Sequence, residues 1–135
     1  KKQKYLSKTV YERNKEFTIN PSFINKKSFK IIEEKDYLWS IEGSKQETLV
    51  GTLIRTEYLD VRIITIVANK KSHIFKFNKN TSYLSLNDNI KITIIDQKID
   101  YKLKYKDGLY FPSSTEFTIE NLNNYDVKLI VCVGL

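Results

Sequence analysis

The chain has 135 residues, the usual size of one domain, and 41% of them are hydrophobic, so it can bury a core of its own. Isoleucine, valine and threonine number 17, 7 and 10, against one alanine and no methionine, which favours β-strands over helices. No run of 18 apolar residues occurs and no apolar signal core is present, so we expect neither a membrane span nor a secretory signal.

The net charge of +7 is concentrated at the N-terminal end. Residues 1–35 carry ten basic and four acidic side chains, which is +6, whereas residues 36–135 carry thirteen and twelve, which is +1. We therefore expect a basic, partly flexible segment over 1–35 and a β domain over 36–135. The basic segment could make a weak DNA contact that salt would screen, but a solvated lysine-rich leader explains the same charge.

The N-terminal third contains three short β-like stretches, at residues 16–20, 29–33 and 37–42. Turn-forming residues separate them. We expect these stretches to add extra strands ahead of the main β domain.

From residue 48 onward the strand pattern is strong. Strands are predicted at 48–57, 58–68, 73–78, 82–86, 90–94, 99–105, 109–111, 117–119 and 127–133. Two of them alternate with period two, which a helix cannot produce, and they predict a set of barrel-interior residues. That set is Ile90, Ile92, Ile94, Tyr101, Leu103 and Tyr105. The lone Cys132 lies in the last apolar strand and is expected to be a small buried residue. Many short strands without an amphipathic helix between them predict a sandwich or barrel, with a double-sheet jelly roll as the first candidate.

One segment near the C-terminus has a specific spacing. Pro112, Ser114, Phe117 and Asn121 fit the frame P-x-G-x-x-H-x-x-x-N, the second conserved motif of the cupin fold, and the segment resembles it. Ser114 stands in the glycine position and Phe117 in the histidine position. The resemblance implies an all-β cupin-type jelly-roll barrel or double-sheet sandwich with extra N-terminal strands. The motif's preceding glycine would fall at Lys106, and we expect nearby Gly108 to serve that turn.

The residues that bind a metal in metal cupins are missing. That resemblance implies an H-x-H pair and a glutamate from a first motif, but the only histidine is His73, followed by Ile74 and Phe75. A metal site needs about three nitrogen or oxygen ligands, so we expect no metal and no cofactor. Catalysis would need an acid or base inside the barrel, and the inward faces offer none, so we expect no enzyme activity.

The same segment also resembles the C-terminal cupin domain of centromere protein C, an inner-kinetochore scaffold. The matching residues are Gly108, Tyr110, Pro112, Phe117, Ile119 and Asn121, followed by an apolar strand and Gly134. Ser113-Ser114 departs from the arginine–glycine pair of that family. The resemblance implies a homodimerisation module, kinetochore or chromatin proteins as partners, and a nuclear location.

Other interpretations of the sequence remain open. Tyr58, Leu59, Val61 and Ile63 are candidates for a dimer interface, although they would fit a core strand equally well. A small-molecule-binding or enzymatic cupin without the usual metal site is the main alternative function. In that case four aromatic residues would line a pocket rather than fill the barrel: Tyr101, Tyr105, Tyr110 and Phe117. A jelly roll of another kind, such as a lectin-like or capsid domain, is a third possibility.

Overall fold

The structure is a computed structural model that describes residues 31–134, and these form ten β-strands preceded by a 3-10 turn at Glu34–Asp36. The strands are Leu38–Glu42 (β1), Thr48–Arg55 (β2), Asp60–Ile66 (β3), Phe75–Lys76 (β4), Thr81–Ser85 (β5), Ile90–Ile94 (β6), Ile99–Leu103 (β7), Gly108–Phe111 (β8), Glu116–Asn121 (β9) and Val127–Val133 (β10). No helix in this described part is long and apolar enough to cross a membrane.

The strands form two antiparallel sheets. One sheet has six strands in the order β1-β2-β3-β10-β5-β8, and the other has four in the order β4-β9-β6-β7. The last strand, β10, lies between β3 and β5. From β3 to β6, and again from β7 to β10, each strand belongs to the opposite sheet from the strand before it. This crossing connectivity makes a two-sheet jelly-roll sandwich, so the predicted all-β fold is confirmed.

Strict alternation places one face of each strand in the core. In β10 the residues Val127, Leu129, Val131 and Val133 are buried, whereas Lys128 and Cys132 are exposed. Isoleucines of β3, β6 and β9 meet these valines and leucines between the sheets: Ile64, Ile66, Ile90, Ile92 and Ile119. The period-two hydrophobic pattern in the sequence therefore specifies which face is inside.

Three predicted interior residues are wrong. Tyr101 is 45% exposed and Tyr105 is 54% exposed, although Leu103 between them is buried. Tyr101 shares the inner face with its register partner Ile92, but β7 is an edge strand and the opposing sheet does not cover it. Tyr105 lies beyond the end of β7. Cys132 is exposed because it belongs to the outward-facing set of β10.

The structure tests only those N-terminal predictions that fall within the described residues. The stretch at 37–42 forms β1, at the edge of the six-stranded sheet, so one extra strand is confirmed. Residues 31–33 of the stretch at 29–33 have no regular structure. The stretch at 16–20, and most of the basic segment 1–35 with its predicted DNA contact, lie outside the described residues.

A glycine in β2 allows an aromatic pair to pack on the outside of the six-stranded sheet. Trp39 and Gly51 are register partners, and the Trp39 ring lies 5.5 Å from the Tyr37 ring. A Cβ added at Gly51 would lie 2.9 Å from Trp39 Cζ3 and 3.1 Å from Tyr37 Cδ2. Any larger residue at this position would displace both rings.

We predict that Gly51→Ala lowers the free energy of unfolding by about 1–3 kcal/mol, because the added methyl group overpacks the two rings. Urea denaturation at neutral pH measures this change. Gly134→Ala is the matched control, since no atom lies within 4 Å of its added Cβ. Equal stability of the two variants would contradict the proposed contact.

Candidate functional site

The centre of the barrel is filled by aromatic rings around Phe117. This side chain is 1% exposed and stacks on Phe111 at 4.5 Å and on Phe75 at 5.5 Å between ring centroids. Tyr83 meets it edge-on at 5.2 Å. The motif position that carries a histidine in metal cupins therefore points inward, as predicted, but it presents a phenyl ring.

The stretch beside Phe117, formed by β4 and the next residue, carries two further rings whose inward position was not predicted from the sequence. Phe75 of β4 is the register partner of Phe117, and Phe75-Lys76-Phe77 has the one-residue spacing of an H-x-H pair. The two phenyl rings of this stretch lie 6.2 Å apart and are stacked. The repeated F-x-F spacing was the signal available in the sequence.

These residues do not fit a metal ion. Phenyl rings offer no nitrogen or oxygen ligand, and a metal site needs about three. Within residues 31–134 no group of three or more His, Cys, Asp or Glu side chains could hold an ion. Aromatic packing thus takes the place of coordination at this position.

The motif turn keeps the left-handed backbone conformation that favours glycine, although a serine occupies the position. Ser114 has φ of +66°, in the left-handed region, and its amide donates to Phe77 O at 2.7 Å. Lys106 has φ of +73°, so the frame's preceding glycine position is indeed Lys106. The prediction that Gly108 serves this turn is wrong, because Gly108 is the first residue of β8 and has no positive φ.

The motif asparagine connects the β9–β10 loop to the end of β3. Asn121 is 1% exposed, and its amide nitrogen donates to the carbonyl oxygens of Tyr125 at 2.7 Å and Ile66 at 3.1 Å. Its Oδ1 accepts from the Asn123 amide at 2.8 Å. Of the remaining motif residues, Ile119 is buried in the core and Pro112 is exposed directly after β8. Asn121 therefore stabilises the junction between β9, β10 and the end of β3.

An open cavity of about 240 Å³ lies beside the aromatic cluster, between β1–β3 and residues 73–77. Its polar lining comes from Glu42, Arg62, His73 and Lys76. Arg62 donates to Asp60 from Nε at 2.9 Å and from Nη2 at 2.7 Å, and its guanidinium lies 5.3 Å from the centre of the Phe77 ring. The hydrogen bond that Arg62 donates to Asp60 raises the pKa of Arg62, so the side chain is a permanent cation.

His73 lies at the opposite side of the cavity mouth. Its Nε2 is 3.4 Å from Glu42 Oε1, and its ring lies 4.3 Å from the Phe75 ring. Its Nδ1 is buried and has no hydrogen-bond partner in the described part of the chain. His73 is thus held by Glu42 and Phe75 and is not a freely solvated residue.

Tyr83 carries a second buried polar atom of this kind. The residue is 3% exposed, and its hydroxyl has no hydrogen-bond partner among the described residues. Burial raises the pKa of Tyr83, and the nearby Arg62 charge lowers it by less. The phenol therefore stays neutral well beyond its ordinary range.

The four predicted interface residues lie outside the core. Tyr58 and Leu59, in the turn before β3, are 61% and 42% exposed. Val61 and Ile63 follow on β3 and are half-buried, with their side chains on the outer face of the six-stranded sheet.

We predict that Ser114→Gly raises the free energy of unfolding by about 0.5–1 kcal/mol. The left-handed backbone costs a serine roughly 1–2 kcal/mol, and glycine regains most of that despite its greater chain entropy. Denaturant titration is the measurement. The neighbouring exposed Ser113 has no positive φ, so Ser113→Gly should lower the stability instead. Identical shifts in both variants would contradict the assignment.

We predict that Tyr83→Phe leaves the protein at least as stable at pH 7, because only an unpartnered hydroxyl is removed. Above about pH 10 Tyr83 ionises in the unfolded chain, but it stays neutral in the folded chain because burial raises its pKa there. Ionisation therefore stabilises only the unfolded chain, and the free energy of unfolding falls as the pH rises. Wild type should lose up to about 1.4 kcal/mol per pH unit more than the variant. Parallel curves from pH 8 to 11 would contradict this, and the exposed Tyr110→Phe should follow wild type.

A scan against protein-family models and a search of curated proteins found no match. Solved structures with a similar fold include the polyketide cyclase RemF from Streptomyces resistomycificus, which is 12% identical over 79% of this chain and 80% of its own, with a TM-score of 0.67. A cupin superfamily protein from Desulfitobacterium hafniense is 20% identical over 73% and 84%, with a TM-score of 0.55. The cupin domain of Cnp3 from Schizosaccharomyces pombe is 14% identical over 66% of both chains, with a TM-score of 0.58. The chain therefore has the cupin fold.

Proposed function

We propose that the chain is a non-catalytic homodimerisation module of a centromere or kinetochore scaffold protein, in which two copies pair through the outside of the six-stranded sheet. The observation that carries the proposal is a difference between the outer faces of the two sheets. When the outer face of a sheet is in contact with water, that face is expected to be polar. Only one of the two sheets has a polar outer face.

The outer face of the four-stranded sheet is polar. Lys91 and Glu120 are register partners there, with 3.5 Å between Nζ and Oε1. Thr93 donates to Asp100 at 2.8 Å on the same face. These pairs are typical of a surface that remains in water.

The outer face of the six-stranded sheet is mainly apolar. We call the following set the outer apolar face: Ile41, Leu49, Ile54, Val61, Ile63, Leu84, Ile130 and Cys132. Leu84 is 39% exposed and Cys132 is exposed, while Val61, Ile63 and Ile130 are half-buried. A contiguous apolar surface of this kind marks an interaction site.

A second copy of the chain is the partner that suits this face. Ile63 and Ile130 are register partners near its middle, and Lys128 is the one charged residue that the strand alternation places among the set. Two such faces can therefore meet around a two-fold axis with only one charged residue contributed by each face. Six strands at about 4.8 Å spacing give a face roughly 25 Å wide, which can supply most of the ~800 Å² that each partner buries in a stable interface.

The centromere assignment has separate support. The segment from Gly108 to Asn121 resembles the cupin domain of centromere protein C, as described above, and the Cnp3 cupin domain is among the similar folds. A dimer would make a longer scaffold bivalent and so increase its avidity for chromatin or kinetochore proteins in the nucleus. The phenyl rings of Phe75, Phe77 and Phe117 in place of metal ligands favour a non-catalytic role.

The second candidate is a small-molecule-binding or enzymatic cupin. A polyketide cyclase is among the similar folds. The cavity bordered by Arg62 and His73 is the specific feature that favours this candidate.

We predict that the wild-type chain has twice its 15.9 kDa mass in light scattering after size exclusion, and that Ile63→Glu has the monomer mass. A buried unpaired carboxylate on both copies should raise the dimer Kd at least about a hundredfold. Because Ile63 is half-buried, the exposed Cys132→Glu provides a second variant that leaves the core intact. Leu122→Glu, at an exposed residue in the turn after β9, is the matched control and should remain dimeric.

A monomeric wild type across the micromolar range would overturn the proposal. The centromere assignment needs its own test, with the full-length protein fused to a fluorescent protein in its own cells. We expect foci at centromeres that Ile63→Glu disperses. Diffuse wild-type fluorescence together with a dimer in solution would overturn the centromere assignment alone.

A further inference from the structure

The strand β7 is an open edge of the four-stranded sheet, because only β6 pairs with it in the described part of the chain. Its residues from Ile99 to Lys102 are all exposed. Two of them, Ile99 at 36% and Tyr101 at 45% exposure, are apolar side chains on the inner face, which the opposing sheet does not cover here. An edge with an exposed apolar face is a surface on which another strand can pair.

The outward hydrogen-bonding groups of this edge belong to Asp100 and Lys102. The Ile95 amide, one residue beyond β6, donates to Glu116 O of β9 at 2.9 Å. Because backbone direction alternates along a strand, the β6 residues that pair with β7 are those opposite Tyr101 and its inward neighbours. The N–H and C=O groups of Asp100 and Lys102 therefore point away from β6, and within residues 31–134 no strand or loop bonds to them.

The outward side chains of β7 are one acid and one base, two residues apart. Asp100 accepts a hydrogen bond from Thr93 Oγ1 at 2.8 Å. Lys102 lies opposite Lys91, whose ion pair is with Glu120 on its other side. Like charges directly opposite each other on a sheet are destabilising. A carboxylate approaching Lys102 from beyond the edge would relieve this repulsion.

A second copy of β7 supplies that carboxylate. When two β7 strands pair antiparallel about a two-fold axis through Tyr101, Asp100 of each copy lies opposite Lys102 of the other. These residues have the outward backbone groups, so they form the hydrogen-bonded pairs, and Tyr101 meets its own copy in the closer, non-hydrogen-bonded pair. Ile99 of one copy then lies opposite Leu103 of the other on the inner face. The edge is thus self-complementary in hydrogen bonds, charge and apolar contacts.

We propose that β7 pairs with β7 of a second copy and joins the two four-stranded sheets into one continuous sheet. A lysine on an edge strand usually prevents such pairing, but here the other copy's acid lies opposite it. The contact is separate from the outer apolar face, so it goes beyond the proposed dimer. Because a chain with two different two-fold contacts joins more than two copies, the dimers associate further into larger assemblies.

The edge contact is weaker than the proposed dimer. The strand has five residues, so the pair buries much less than the ~800 Å² per partner of a stable interface. We expect a Kd of about 0.1–1 mM, so the contact dissociates at the dilution of size exclusion.

The test is sedimentation equilibrium of Ile63→Glu, in which the proposed outer contact is disabled, from micromolar to millimolar concentration. We expect this variant to pass from monomer to dimer as its concentration rises. Adding Asp100→Lys places like charges opposite each other twice and should weaken the dimer by about ten- to a hundredfold, so that the chain stays monomeric. Adding Lys102→Asp as well restores opposite charges and should restore the dimer. Glu57→Lys, the same change of charge at an exposed residue between β2 and β3, is the matched control and should dimerise like Ile63→Glu alone.

Amide hydrogen exchange locates the contact on the strand. The amides of Asp100 and Lys102 face solvent in a single chain, so they should exchange rapidly at low concentration and become protected at high concentration. The amide of Tyr101, which faces β6, is the internal reference and should not change.

Three results would overturn the proposal. They are an Ile63→Glu variant that stays monomeric at millimolar concentration, a dimer that Asp100→Lys does not weaken, and a charge-reversed double variant that does not recover. The wild-type chain separates the two proposals. A millimolar mass above twice 15.9 kDa that Asp100→Lys reduces to the dimer supports both contacts. A wild-type dimer that Asp100→Lys converts to a monomer supports the edge contact and overturns pairing through the outer apolar face alone.

Discussion

The ring contacts of Phe117 hold the two sheets together. Phe117 belongs to β9 of the four-stranded sheet, whereas Phe111 and Tyr83 belong to β8 and β5 of the six-stranded sheet. Each such pair contributes about 0.5–1.5 kcal/mol beyond the burial of its area. A histidine at position 117 would need a metal or a polar partner at this depth. The phenyl ring needs neither, and its burial at the barrel centre stabilises the packing of the two sheets.

This central packing determines where chemistry remains possible. With the middle of the barrel closed, the charged residues on the inner face of β3, Asp60 and Arg62, lie toward one end of the strand. The same strand presents Val61 and Ile63 on the opposite side. The cavity lined by Arg62 and the proposed dimer face therefore lie on opposite sides of one strand.

The cupin motif retains its backbone geometry more completely than its side chains. Lys106 and Ser114 adopt the left-handed conformation for which glycine is suited, and Asn121 makes the hydrogen bonds that close the loops. Packing elsewhere must compensate for the two non-glycine residues, since each costs roughly 1–2 kcal/mol. The frame P-x-G-x-x-H-x-x-x-N was therefore detectable in the sequence even though two of its residues are replaced.

Period two in the sequence determined the strands and the inward set, from Ile90 and Ile92 to the alternating residues of β10, because local alternation follows from backbone geometry alone. The cupin-like frame, rather than this alternation, placed Phe117 inside. Only the tertiary structure decided that Tyr101 and Cys132 are exposed, that Phe75 meets Phe117, and that Glu42, Arg62 and His73 border one cavity. Those outcomes depend on which strands are edges and on contacts between residues distant in the chain, and no local pattern encodes strand order.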